Sequence, residues 1–147
     1  MKPAIIFISV WCFVGCASIS SDPDGLKRYE QQEYRKAVRA AKADLRRGIL
    51  AYEDIQCEEE EGWRILWCYR NLLADKYGVE YRVISPSPVP GAVGQSNGYK
   101  SVTGPLIAER LGDDWEARIF REAEDYYRAH WQEVEHLYLI DRKAQTW

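Results

Sequence analysis

The side chains of this sequence best suited to chemistry are four cysteines and two histidines. Cys57 and Cys68 lie in the body of the chain, eleven residues apart. On one continuous α-helix that separation places their Cα atoms about 16 Å apart, whereas a disulfide needs less than about 7 Å. A Cys57–Cys68 bridge therefore excludes an unbroken helix between them, and Gly62 is the natural place for a helix to begin. Two buried free thiols are the alternative, since free cysteine is often buried.

The spacing of the histidines and of the cysteines gives no indication of an active site. His130 and His136 are six residues apart, so a helix places them about 120° from each other around its axis. The sequence contains no HExxH, Ser-x-x-Lys or phosphate-loop motif, and its cysteines do not form a CxxC pair. The 23 acidic residues are too numerous for any one pair to be informative. We therefore predict no catalytic residue, no metal site and no cofactor.

The amino terminus has the pattern of a secretory signal. Lys2 supplies a positive charge, and residues 4–14 (AIIFISVWCFV) form an apolar run with Ser9 as its one polar residue. A helix of that length rises only about 16 Å, whereas crossing a bilayer takes roughly twenty apolar residues. The run therefore indicates the hydrophobic region of a signal peptide rather than a permanent membrane span.

The four residues Phe13-Val14-Gly15-Cys16 resemble the lipobox of bacterial lipoprotein signal peptides. The resemblance implies a bacterial source, cleavage before Cys16, diacylglycerol on its thiol, and a fatty acyl group such as palmitate on the new amino terminus. Ala17 stands where an aspartate would favour the inner membrane, which implies a lipid anchor in the outer membrane facing the periplasm. Two alternatives stay open. Ordinary signal peptidase could release a soluble protein after Ala17, or the segment could remain as an uncleaved anchor.

These observations predict three parts of the chain: a signal peptide over 1–15, a lipidated cysteine and short tether over 16–24, and a single domain over 25–147. An oxidising envelope compartment favours the disulfide between Cys57 and Cys68. The net charge is −3, which gives no reason to expect nucleic acid as a partner, because such binders usually carry a basic face.

The folded part is predicted to be a mainly helical α+β domain around a small sheet. Apolar residues at helical spacing, with Gly or Pro at the ends, predict four helices; short apolar or alternating runs predict two strands. The helices are expected over 26–47, 63–76, 99–111 and 115–142, and the strands over 49–52 and 79–84. Strand, helix and strand in succession predict a βαβ unit with parallel strands.

Residues 85–98 hold three prolines and three glycines, and we expect an extended loop there, or a short third strand over 89–93. A long loop is often functional, so this segment is a predicted contact surface. Trp and Tyr dominate interfaces and stack well on sugars. We therefore also predict contact of a partner or glycan with Trp115, Trp131 and Tyr99. The alternative is that these aromatic side chains fill the core.

The segments KYGVEYRV and NGYKSVTGPLIAERLG resemble small bacterial domains that share a "YGVE…GYN" pattern. That resemblance implies no particular activity. We expect a non-catalytic interaction or scaffold module anchored in the envelope, with the bilayer as one partner and an envelope protein or peptidoglycan as another. The alternatives are a module that binds cell-wall glycan and an envelope hydrolase.

Overall fold

A computed structural model describes residues 23–56 and 60–144 of the chain. It confirms a mainly helical α+β fold with four helices and one small sheet in these ranges. The elements are α1 Pro23–Arg46, β1 Ala51–Ile55, α2 Glu60–Tyr77, β2 Glu80–Ser85, α3 Pro90–Leu111 and α4 Trp115–Ala144.

The two strands are parallel and α2 connects them, so the predicted βαβ unit is confirmed. Side chains alternate between the two faces of a strand. The pair Tyr52 and Tyr81 belongs to one face, and the pair Glu53 and Arg82 belongs to the other. Helices α2 and α4 pack against each other, as do α1 and α3. The tyrosine face joins the core of α2 and α4, and the opposite face contacts α1 and α3.

The larger core combines aromatic and aliphatic side chains from the sheet, α2, α3 and α4. Its most buried members include Leu73, Val79, Ile107, Ile119 and Val134. The smaller core is made of short side chains around one large ring: Ala37, Ala41, Ala51 and Tyr99. Small residues bring α1 close to α3.

Two glycines of α3 lie directly on the backbone of α1. A Cβ atom at Gly94 would lie 2.4 Å from the carbonyl oxygen of Glu30, and one at Gly98 would lie 2.3 Å from that of Tyr34. Real Cβ contacts are essentially never that short. The two helices therefore touch backbone to backbone, and this contact requires glycine at both positions.

Of the loop predicted over 85–98, residues 86–89 do connect β2 to α3; the remainder of that prediction and the strand over 89–93 are wrong, because α3 begins at Pro90. Proline is well suited to the first turn of a helix, where its missing N–H is not needed. The glycines of this segment serve helix contact rather than chain flexibility. The helix predicted over 99–111 is thus the second half of α3, with Pro105 inside it.

The last helix is confirmed but bent. Within α4, the backbone at His130 departs from helical geometry, with φ −129° and ψ 28°. In the part of the chain that the structure describes, no helix combines the length and apolar character that crossing a bilayer requires. The predictions for the signal peptide, Cys16 and most of the tether lie outside the described residues.

Candidate ligand-binding cleft

An open cleft of about 620 Å³ lies between α2, β2 and the carboxyl-terminal part of α4. Its lining is aromatic and basic, with one carboxylate. The lining residues are Trp63, Leu66, Trp67, Arg70, Tyr81, Arg82, Val83, Tyr138, Asp141 and Arg142.

The aromatic wall follows from the geometry of α2. Trp63 and Trp67 are four residues apart and therefore share one face of the helix. The indole N–H of Trp67 donates a hydrogen bond to Asp141 Oδ2 at 3.1 Å, and Arg70 Nη2 donates to the same oxygen at 2.8 Å. Asp141 thus ties α2 to the end of α4 and fixes the orientation of the Trp67 ring.

Among the described residues, one arginine of the cleft has no ion-pair partner. Arg70 is paired with Asp141, and Arg82 is paired with Glu80 and Asp44. Arg142 is exposed and forms no ion pair with any residue of 23–56 and 60–144. A guanidinium group presents a planar set of donors that suits carboxylates and phosphates. The cleft therefore favours a ligand that combines a flat or apolar group with an anionic one.

A buried carboxylate on the far side of the sheet holds Arg82 in place. Asp44 is 5 % exposed, and it accepts hydrogen bonds from Tyr99 Oη at 2.6 Å, from Arg82 Nη1 at 2.8 Å, and from Arg47. These bonds hold the pKa of Asp44 well below its ordinary value; the hydrogen bond from Tyr99 contributes most and the one from Arg82 contributes next. Asp44 is therefore ionised, and Arg82 is fixed between it and Glu80.

A second polar cluster surrounds Asp54 near the carboxyl end of β1. Lys100 Nζ donates to Asp54 Oδ1 at 2.6 Å, while Tyr81 Oη and Gln56 Nε2 donate to Oδ2 at 3.0 and 2.8 Å. Burial raises the pKa of Tyr81, so its phenol stays protonated and acts as a donor. The oxygens of Asp54 are thus already engaged within the protein. This arrangement explains how α3 is fixed to the sheet, and it offers no unengaged base for catalysis.

No group of three or more His, Cys, Asp or Glu side chains that could hold a metal ion occurs in the described ranges 23–56 and 60–144. Every fully buried side-chain nitrogen or oxygen there has a hydrogen-bond partner. The polar groups of these clusters are therefore satisfied by one another, and the clusters serve to hold helices and strands in position.

Two of the three predicted contact residues are buried. Tyr99 is 1 % exposed and Trp115 is 4 % exposed, so the prediction that they contact a partner or glycan is wrong. The Trp115 ring packs edge-on against Tyr52 with 5.0 Å between ring centroids, while Tyr99 is engaged by Asp44. A large aromatic ring removes much apolar surface from water when it is buried, so a small domain is more stable with these rings in its core than with them exposed. Trp131 is 54 % exposed, and its role as a contact residue stays a prediction.

The predicted disulfide also stays a prediction, because Cys57 lies outside the described residues. Cys68 is a buried free cysteine in the structure and is 2 % exposed. Burial raises the pKa of its thiol to about 11. Such a thiol is protonated at neutral pH and unreactive.

Trp63, Trp67, Tyr138 and Arg142 are not among the contact residues predicted from the sequence. The four-residue spacing of the two tryptophans is a signal for a shared aromatic face on α2. Nothing in the sequence indicates that α4 brings Tyr138 and Arg142 to that face. Comparisons of the chain with protein-family models, curated proteins and solved structures find no match.

Proposed function

We propose that this protein is a lipid-anchored bacterial envelope protein that acts as a non-catalytic interaction module, with the cleft between α2, β2 and α4 as its binding site. The observation that carries the proposal is the lining of that cleft, where the rings of Trp63, Trp67 and Tyr138 lie beside the unpaired Arg142. Concave surfaces with aromatic rings and a few placed polar groups are typical ligand sites.

The anchor is a separate part of the proposal and rests on the lipobox-like residues 13–16. Several acyl chains on Cys16 would hold the protein stably at a membrane surface. The intact mass of the protein from a membrane fraction tests this part. A chain that begins at Cys16 and carries acyl chains is the expected result, and an unlipidated chain that begins at Ser18 would refute the anchor.

Four variants test the cleft. Trp67→Ala and Arg142→Glu change the cleft, whereas Tyr126→Ala and Arg121→Glu make similar changes at exposed positions of α4 that do not line it. Each full-length protein is crosslinked in cells and purified under denaturing conditions. We expect the adducts of the wild-type protein to persist in the two control variants and to be lost in the two cleft variants. Equal adducts in all four variants would refute the cleft as the binding site.

The second candidate is a module that binds cell-wall glycan, which the three aromatic rings of the cleft also favour because such rings stack on sugars. Sedimentation with purified peptidoglycan distinguishes it. Cosedimentation that Trp67→Ala abolishes and Tyr126→Ala preserves would establish glycan binding at the cleft. Absence of the wild-type protein from the pellet would exclude it.

A further inference from the structure

The cleft borders the unpaired edge of β2. A two-stranded sheet leaves one side of each strand without a neighbouring strand, and among the described residues β2 pairs with β1 alone. The cleft contacts three consecutive residues of β2, Tyr81, Arg82 and Val83. Consecutive side chains of a strand point to opposite faces. A cleft that touches all three therefore passes the edge of the strand rather than lying on one face.

The register determines which backbone groups face the cleft. The N–H of Glu80 donates to the carbonyl oxygen of Leu50 at 2.9 Å, so Glu80 points its backbone groups at β1. The N–H and C=O groups of successive strand residues point to alternate sides. Tyr81 and Val83 consequently point theirs away from β1, towards the cleft. Outside the β1–β2 ladder, neither of these N–H groups donates a backbone hydrogen bond to any residue of 23–56 and 60–144.

An edge with unpaired backbone groups is a template for another strand. In recognition by strand addition, backbone hydrogen bonds supply affinity, and side-chain pockets beside the edge supply specificity. Here the neighbouring walls carry the aromatic rings of Trp63, Trp67 and Tyr138 and the unpaired guanidinium of Arg142. The same edge and walls therefore suit an extended chain that carries aromatic or branched side chains and a carboxylate.

We propose that the cleft binds an extended acidic peptide segment of a partner protein, which adds to β2 as a third strand through the backbone of Tyr81 and Val83. This inference rests on the proposed function, because it assumes that the cleft is a binding site, and it names the class of ligand. Two strands alone form a marginal sheet, and a third strand would also extend the hydrogen-bonded ladder. The peptide carboxylate would pair with Arg142.

Substitutions at Val83 separate backbone pairing from side-chain contact. Val83→Pro removes the outward N–H, and proline is tolerated on an edge strand because its ladder bonds to the neighbouring strand remain. Val83→Thr keeps the N–H and the branched shape. Circular dichroism checks that both variants keep the helical content of the wild-type protein. If Val83→Pro does not fold, peptides with alternate backbone amides N-methylated provide the same test on the wild-type protein.

The probes are synthetic ten-residue peptides with Tyr or Val alternating with Asp or Glu, and matched peptides with Lys in place of the acids. Full-length protein in detergent is titrated with each peptide. We expect the affinity for acidic peptides to be about tenfold lower for Val83→Pro than for Val83→Thr, and about tenfold lower for N-methylated than for unmethylated peptides on the wild-type protein. Lys peptides should not bind, and Arg142→Glu should lose the preference for acidic ones.

Three outcomes would overturn the inference. If Val83→Pro binds acidic peptides as tightly as Val83→Thr and N-methylation has no effect, the peptide is held by side-chain contacts and not by backbone pairing. If no peptide binds but peptidoglycan fragments bind in a Trp67-dependent manner, the ligand of the cleft is a glycan and not a peptide. The inference would then be wrong, while the cleft would remain a binding site. Absence of all binding, with no effect of the cleft variants in the crosslinking experiment, would refute the inference and the proposed function together.

Discussion

Replacing Gly98 by alanine tests the contact between α1 and α3. The added Cβ would lie 2.3 Å from the carbonyl oxygen of Tyr34, whereas ordinary van der Waals contact begins near 3.4 Å. The helices would have to separate locally by about 1 Å, because the clashing atom belongs to the backbone and cannot rotate away. The contact region includes the small core around Tyr99, so the separation would also loosen the packing there.

The expected magnitude is the difference between two effects. Overpacking of a tight interior costs about 1–3 kcal/mol, whereas alanine in place of glycine within a helix gains about 0.5–1 kcal/mol. We therefore expect Gly98→Ala to lower the free energy of unfolding by about 1–2 kcal/mol. In a domain of this size, 1 kcal/mol corresponds to a fall in Tm of about 4 °C.

Urea unfolding followed by circular dichroism measures this difference, with Gly104→Ala as the matched control on the same helix. A Cβ at Gly104 would meet nothing within 4 Å. Its gain in helix propensity is offset because it precedes Pro105, which restricts the residue before it. The control should therefore stay within about 1 kcal/mol of the wild-type protein. A Gly98→Ala protein as stable as the wild type would refute the close backbone contact. Recovery of the lost stability when the Tyr34 side chain is also truncated would refute it too, because the clash would then involve the side chain and not the backbone.

Three further predictions concern buried groups. Tyr99→Phe removes the hydrogen bond to Asp44 and should lower the free energy of unfolding by about 1.5–3 kcal/mol. The control Tyr126→Phe, at an exposed position, should have little effect. Equal midpoints of urea unfolding for the two variants would contradict this prediction. Because the folded pKa of Asp44 is depressed, its stabilisation is present above the unfolded pKa of about 4 and is lost as the pH falls below it. Asp44→Asn should flatten that acid-induced loss, and an unchanged slope of stability against pH would refute the assignment. The Cys68 thiol, with its pKa raised to about 11, should resist iodoacetamide at pH 8 in the native protein and react once urea unfolds the chain. A reaction only after reductant is added would instead establish the disulfide with Cys57.

The local signals in the sequence were sufficient for most elements. The alternation over 79–84 and the apolar spacing along 63–76 predict β2 and α2, because short-range periodicity directly reflects which face is buried. The prolines and glycines of 85–98 predict a loop, and this prediction is wrong from Pro90 onwards because Gly94 and Gly98 serve a contact with a helix some sixty residues away in sequence. Their four-residue spacing, just after a proline suited to begin a helix, was the available signal.

The cleft could be predicted only in part. The spacing of Trp63 and Trp67 indicates one aromatic helix face, but the approach of Tyr138 depends on the packing of α4 against α2. The burial of Trp115 likewise depends on its edge-on contact with Tyr52. Residue type alone cannot distinguish an aromatic ring that fills a core from one that lines a cleft, since both gain from removing apolar surface from water.

The most direct test of the cleft as a binding site is a photocrosslinking amino acid placed in the full-length protein in living cells. Tyr138 lines the cleft, while Tyr126 is an exposed tyrosine of the same helix that does not. We predict discrete covalent adducts from position 138, none of them from position 126, and their loss when Arg142→Glu is added. Adducts that are the same from both positions, or none from position 138, would contradict the central claim.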